Sequence, residues 1–172
     1  MEEVKALIRD IPDFPKPGII FKDITPVLGD GSAFKIITDA LKDRYKDKKI
    51  DVVLGIEARG FIFGASLAYA LGAGLGILRK PGKLPHKTFK ETYELEYGSD
   101  TIEIHQDAIL DGQKILLIDD VLATGGTASA AIRLVKNNFK AEIVEAVFLI
   151  ELGFLKGRKK LIGVEAYSLI KY

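Results

Sequence analysis

Between Lys114 and Thr127 this chain commits itself to a strand–turn–helix junction with unusual chemistry. An apolar run, Ile115-Leu-Leu-Ile118, meets two adjacent carboxylates, Asp119 and Asp120. A turn of small residues follows, Ala123-Thr-Gly-Gly-Thr127, and then an alanine-rich segment of helical character. The apolar run reads as a buried strand, and the Gly-Gly pair permits a tight turn from which a helix can grow. Such a turn aims backbone N–H groups at a point in front of the helix, which suits a phosphate. The carboxylates stand just before it, where they can accept hydrogen bonds from hydroxyls or from water on a metal. A ligand with a phosphate, vicinal hydroxyls and a bound divalent cation satisfies both devices, and a sugar phosphate has those parts. A small-residue turn alone is a weak signal. Here the doubled Asp, the two threonine hydroxyls and the Gly-Gly pair fall within nine residues.

The same rhythm runs through the rest of the chain. Strands are expected over 51–56, 75–80, 115–119, 143–152 and 164–170, and helices over 2–8, 32–46, 60–71 and 127–137. Ser32 is placed to cap the second helix, which turns Phe34, Ile37 and Leu41 to one side, and Gly72 is placed to close the third. Residues 10–29 hold four of the six prolines and read as loop. Strands separated by helices imply a parallel sheet with right-handed crossovers, and ligands of such sheets bind beyond the strands' C-terminal ends. Residues 81–106 break the rhythm. Two alternating runs, Thr92–Tyr97 and Thr101–His105, flank the turn residues Gly98-Ser-Asp100 and predict a hairpin at the ligand end, either a static surface ribbon or a mobile lid. The expected architecture is α/β: one domain over 1–172, with a central parallel sheet flanked by helices. A small hood is expected from the N-terminal segment 10–29 and the hairpin 81–106.

Composition excludes several functions. At 172 residues the chain is long enough for one well-packed core. A net charge of +1 gives no general drive toward nucleic acid or an anionic membrane. Its apolar runs fall short of the ~20 residues of a membrane span. With no cysteine, disulfides and thiolate metal sites are ruled out. His86 and His105 lack metal-ligand spacing, and no Walker sequence occurs. The expected setting is cytoplasmic.

Two further junctions carry charge toward the same end of the sheet. In Gly55-Ile-Glu-Ala-Arg-Gly-Phe-Ile-Phe-Gly64 a strand again passes through a polar turn into a helix, and Arg59 suits a phosphate or a carboxylate. In Arg79-Lys80-Pro-Gly-Lys83 three cations close another strand. A solubilising strand end would look the same, but beside a phosphate loop these cations suit a pyrophosphate.

These residues together resemble the type I phosphoribosyltransferases. The run Ile115–Thr127 is similar to that family's signature. The segments Asp13–Leu28, Gly55–Gly64, Arg79–Pro85 and Leu95–Gly98 narrow the likeness to its adenine-using branch. The match runs in order from about residue 10 onward. The resemblance implies a purine-salvage reaction: adenine and phosphoribosyl pyrophosphate give AMP and pyrophosphate, with Mg²⁺ as cofactor. It implies that Ala123, Thr124, Gly125, Gly126 and Thr127 hold the 5′-phosphate. Asp119 and Asp120 would meet the ribose hydroxyls, directly or through metal-bound water. Arg59, Arg79, Lys80 and Lys83 would neutralise pyrophosphate, some of them across a homodimer interface. Ile20 and Phe21 would pack on adenine while the Lys22 backbone reads its edge; Lys22 stands where many relatives carry Arg. Glu96 would assist proton movement at the base, with Tyr97 beside it on the hood. A non-proline cis peptide at Glu57–Ala58 is also implied. The alternatives are a related transferase for hypoxanthine, guanine or xanthine, and a non-catalytic regulator that senses phosphoribosyl pyrophosphate.

Overall fold

Unbroken runs of apolar and small residues explain the centre of the molecule, a computed structural model that describes residues 1–94 and 98–172. Strands β3 (Val52–Ile56), β4 (Gly74–Leu78), β7 (Lys114–Leu122), β8 (Glu142–Glu151) and β9 (Ala166–Lys171) form one parallel sheet in the order β4-β3-β7-β8-β9. Successive side chains of these strands enter opposite cores, as the two-residue period of a strand requires. Leu54, Ile115, Leu117 and Phe148 go to one side, and Val53, Leu116, Ile118 and Val147 to the other. Both faces are buried, which is why the strands read as unbroken apolar runs.

Helices cover one face: α1 (Glu2–Leu7), α2 (Thr25–Gly29), α3 (Gly31–Tyr45) and α4 (Gly60–Leu71). Helix α5 (Gly126–Asn138) covers the other, together with a ribbon of β5 (Thr88–Glu94) and β6 (Ser99–His105). Gly72 closes α4 in the left-handed conformation at φ 67°, as expected. Ile37 and Leu41 of α3 are buried, and Phe34 is half-buried against Phe63.

Several expectations need correction. Residues 10–29 are not loop throughout. Strand β1 (Arg9–Pro12) pairs antiparallel with β2 (Ile20–Asp23), and α2 follows. The prolines misled because they sit where proline is tolerated: Pro12 ends β1, and Pro26 stands in the first turn of α2, where its missing N–H costs nothing. Helix α3 is capped by Asp30, whose carboxylate accepts from Ala33 N–H at 2.8 Å, and not by Ser32. Strand β7 does not stop at Asp119 but runs on to Leu122, paired with β8 up to Glu151. The β5–β6 ribbon begins four residues before the expected Thr92, and Gly98 takes a turn conformation at φ 82°.

The ribbon is also more deeply anchored than a free flap. Tyr93, Ile102 and Ile104 are buried in the core that holds α5, and Arg79 bridges to Glu103 on β6. Ile104→Ala should therefore cost about 2–4 kcal/mol in urea unfolding, as for a fully buried aliphatic side chain. A loss below about 0.5 kcal/mol, the range of surface changes, would show that the ribbon lies outside the cooperative core.

Candidate active site

The site begins where β7 outruns its neighbour. Pairing of β3 with β7 ends at Gly55 and Ile118, so Asp119 and Asp120 lie just beyond the last pair. Helix α4 starts in that gap. A Cβ on Gly60 would fall 2.7 Å from Ile118 O and 3.1 Å from Asp119 Oδ1, so only glycine lets the helix start come this close to the acids. Asp120 is 4% exposed. Arg59 Nε lies 2.7 Å from Asp120 Oδ2, yet no N–H points at that oxygen, which keeps an unfilled acceptor position. Asp119 Oδ1 accepts Asp120 N–H at 2.9 Å. Burial and the neighbouring Asp120 charge push the Asp119 carboxyl well above its usual range. Burial also raises Asp120, and Arg59 opposes it. One buried and one half-buried carboxylate thus share one guanidinium, an arrangement that invites hydroxyl donors or a cation.

Asp119 also lines a cavity of about 80 Å³ with Val121, Leu122 and residues 123–128. Ala123, Thr124, Gly125, Gly126 and Thr127 are thereby brought together on its wall, opening into α5. Gly125 is left-handed at φ 77°, and a Cβ there would meet Gly157 O at 2.3 Å. A Cβ on Gly157 would meet Ala123 O at 2.1 Å. Gly125 is therefore required by its backbone angle and by a neighbouring main chain. Arg158 holds that neighbour, donating to Glu151 at the end of β8 (Nε 2.9 Å) and to Ala166 O. Gly157 was missed in the sequence because its partner is 32 positions away and nothing in Leu155-Lys-Gly-Arg158 marks the contact.

Of the expected pyrophosphate cations, Arg79 and Lys80 carry internal partners. Arg79 donates to Glu57 (Nε to Oε2 3.3 Å), and Lys80 N–H donates to Glu57 Oε2 at 2.7 Å. Burial would raise Glu57, but these donors outweigh it and hold its carboxyl low. The Lys80 ammonium donates to Asp100 on β6. Lys83 is exposed. The Glu57–Ala58 peptide is cis.

In the base segment, Phe21 stacks edge-on with Phe14 at 5.2 Å, and the Arg59 guanidinium sits 5.0 Å from the Phe21 ring. Arg59 thus touches both the acids' and the base segment's side of the site. Ile20 is 55% exposed. The Lys22 side chain turns away, donating to Asp10 at 2.6 Å and lying 4.1 Å over the Tyr172 ring. Its side chain anchors β2 and leaves only its backbone for a ligand. Glu96 and Tyr97 lie outside the described residues.

Comparison with known proteins now decides the family. Residues 28–163 match the phosphoribosyl transferase domain. Over 172 residues, all of both chains, the sequence is 58% identical to adenine phosphoribosyltransferase of Geobacter metallireducens. The chain belongs to the adenine phosphoribosyltransferase family. Among solved members of the family, the structure of adenine phosphoribosyltransferase from Thermoanaerobacter pseudethanolicus superposes with a TM-score of 0.95 at 53% identity, covering 99% of each chain. The Trypanosoma brucei adenine phosphoribosyl transferase, solved in complex with AMP, pyrophosphate and ribose-5-phosphate, gives 0.91 at 26% identity over 99% of this chain and 78% of its own. The parallel sheet and flanking helices expected for a type I phosphoribosyltransferase fold are thus those observed.

The raised Asp119 carboxyl yields a stability prediction with a definite sign. A carboxyl whose folded pKa lies above its ordinary 3.8 favours the fold in acid, and that contribution is lost as pH rises through the raised value. Asp119→Asn should therefore melt higher than the wild type near neutral pH, with the advantage vanishing toward pH 4. The same variant should lose about a hundredfold or more in kcat/KM, as when one charge-stabilising group is removed from an active site. A variant that melts lower at neutral pH, or that keeps full activity, would contradict the buried-acid account.

Proposed function

We propose that this member of the adenine phosphoribosyltransferase family acts through one continuous grip on ribose 5-phosphate. It transfers the phosphoribosyl group of phosphoribosyl pyrophosphate to adenine, yielding AMP and pyrophosphate. The observation that carries the reading is that Asp119 lines the same cavity as Thr124, Gly125, Gly126 and Thr127. One small ligand spanning that wall meets acids at one end and helix-start amides at the other.

The roles follow from the chemistry. Residues 123–127 hold the 5′-phosphate, and Asp119 and Asp120 accept the ribose hydroxyls. Anchoring the phosphate leaves the anomeric carbon as the part free to move, and such positioning supplies up to about 7 kcal/mol of the barrier. Breaking the bond to pyrophosphate develops positive charge on the sugar and negative charge on the leaving group. Arg59, Arg79, Lys80 and Lys83 stabilise that leaving charge more than the ground state. Ile20 and Phe21 pack on adenine, the Lys22 backbone reads its edge, and Glu96 moves the base proton with Tyr97 beside it. The hood formed by 10–29 and 81–106 covers this assembly and excludes water.

Mg²⁺ belongs to this reading as a substrate-borne ion. Among the described residues no cluster of three or more acidic or histidine side chains could cage a metal. The open acceptor on Asp120 and the raised Asp119 suit contact with the ion's water instead. When bound, the ion supplies charge neutralisation of the pyrophosphate oxygens.

Assembly and setting complete the reading. Ile62 and Tyr69 of α4 and Leu75 of the edge strand β4 are exposed apolar residues, which suits a homodimer face. No helix among the described residues is long and apolar enough to cross a membrane, and the reading places the enzyme in the cytoplasm without a nucleic-acid partner.

An assay with phosphoribosyl pyrophosphate, Mg²⁺ and each of adenine, hypoxanthine, guanine and xanthine tests the reading. AMP and pyrophosphate should form from adenine at least about a hundredfold faster than nucleotide from any other base. Equal turnover of hypoxanthine would overturn the adenine assignment. AMP binding with no turnover of any base would favour the sensing role.

A further inference from the structure

A cation meant for a ligand must be kept somewhere when the ligand is absent, and Lys80 is kept on Asp100. Its ammonium donates to Asp100 Oδ2, and this contact raises the lysine against the opposing pull of burial. The two members of the pair are built differently. Asp100 is fixed by other donors: Thr101 N–H binds Oδ1 at 2.8 Å, and the Tyr93 hydroxyl donates to Oδ2 at 3.2 Å. Tyr93 is buried and is itself tied to the cradle. Having spent its one proton on Asp100, it accepts from the Thr127 hydroxyl at 3.1 Å. Lys80 hangs on a flexible four-carbon stem, its main chain pinned separately by Glu57. Its side chain is 40% exposed and that of Asp100 27%. A pair this exposed adds little to the stability of the fold and separates at small cost. Asp100 can therefore stay in place, with two donors left, when Lys80 leaves.

We propose that Asp100 is a built-in competitor for the pyrophosphate site: it holds Lys80 in the empty enzyme and gives it up to incoming pyrophosphate. The inference rests on the reading of Lys80 as a pyrophosphate ligand and goes beyond it. Asp100 sets how tightly that site binds, by the free energy needed to part it from Lys80. It is a positioning residue, since it touches the lysine and not the ligand. Its effect has the opposite sign from that of a residue needed only for structure: removing the carboxylate strengthens binding.

The test is a double-mutant cycle on the full chain, titrating pyrophosphate with Mg²⁺ by calorimetry at fixed salt. Asp100→Asn should bind about twofold to fivefold tighter than the wild type, the worth of a half-exposed ion pair. Lys80→Met should bind more weakly, and adding Asp100→Asn to it should change nothing further. Asp100→Ala, which removes the side chain's acceptors altogether, should show the same sign. Unchanged or weaker binding by Asp100→Asn would overturn the proposal. So would equal tightening with and without Lys80, which would reveal a general charge effect. If Lys80→Met binds as the wild type does, the ligand role of Lys80 falls, and the competition falls with it.

Discussion

Two carboxylates pressed together beyond the end of a neighbouring strand are the constraint around which this molecule is arranged. Asp119, half-buried, and Asp120, buried, lie where the β3–β7 pairing has ended and face one guanidinium, Arg59. Burial raises both carboxyls, the Asp120 charge raises Asp119 further, and Arg59 opposes the rise at Asp120. In the proposed reading, ligand hydroxyls or water on a cation fill the open acceptor on Asp120. The site is thus a local instability held in place by a well-packed sheet, a trade common at active sites.

Glycine contacts make the arrangement possible. Gly60 lets the start of α4 close the gap beside the acids, and Gly125 with Gly157 lets two main chains touch behind the turn of residues 123–127. The Glu151–Arg158 pair then locks the outer of these two chains to the end of β8. Around this frame the cations are paired with internal carboxylates, Arg79 with Glu57 and Lys80 with Asp100. These cations are therefore charged but not bare, which limits their mutual repulsion.

The sequence made legible whatever depended on local pattern. The buried strands declared themselves because both faces of the sheet are covered, so their side chains are apolar without alternation. The cradle was visible because its threonines and glycines are contiguous. What stayed hidden depended on meetings across the chain. Nothing near Gly157 announces Gly125, and nothing near Asp100 announces Lys80. The acids looked like a strand end because polar residues usually mark one, whereas β8 is long enough to carry the pairing on to Leu122. Proline density hid the β1–β2 ladder and α2, since density ignores which prolines fall at element ends. Where the Lys22 side chain goes was also hidden, since its partners Asp10 and the Tyr172 ring lie on other elements.

A crystal structure of the enzyme with AMP tests the central claim most directly. The account predicts the phosphate oxygens within hydrogen-bond distance of the amides of residues 124–127, with the ribose hydroxyls on Asp119 and Asp120. AMP bound with its phosphate on Arg79 and Lys80, or with its ribose remote from the two acids, would contradict it.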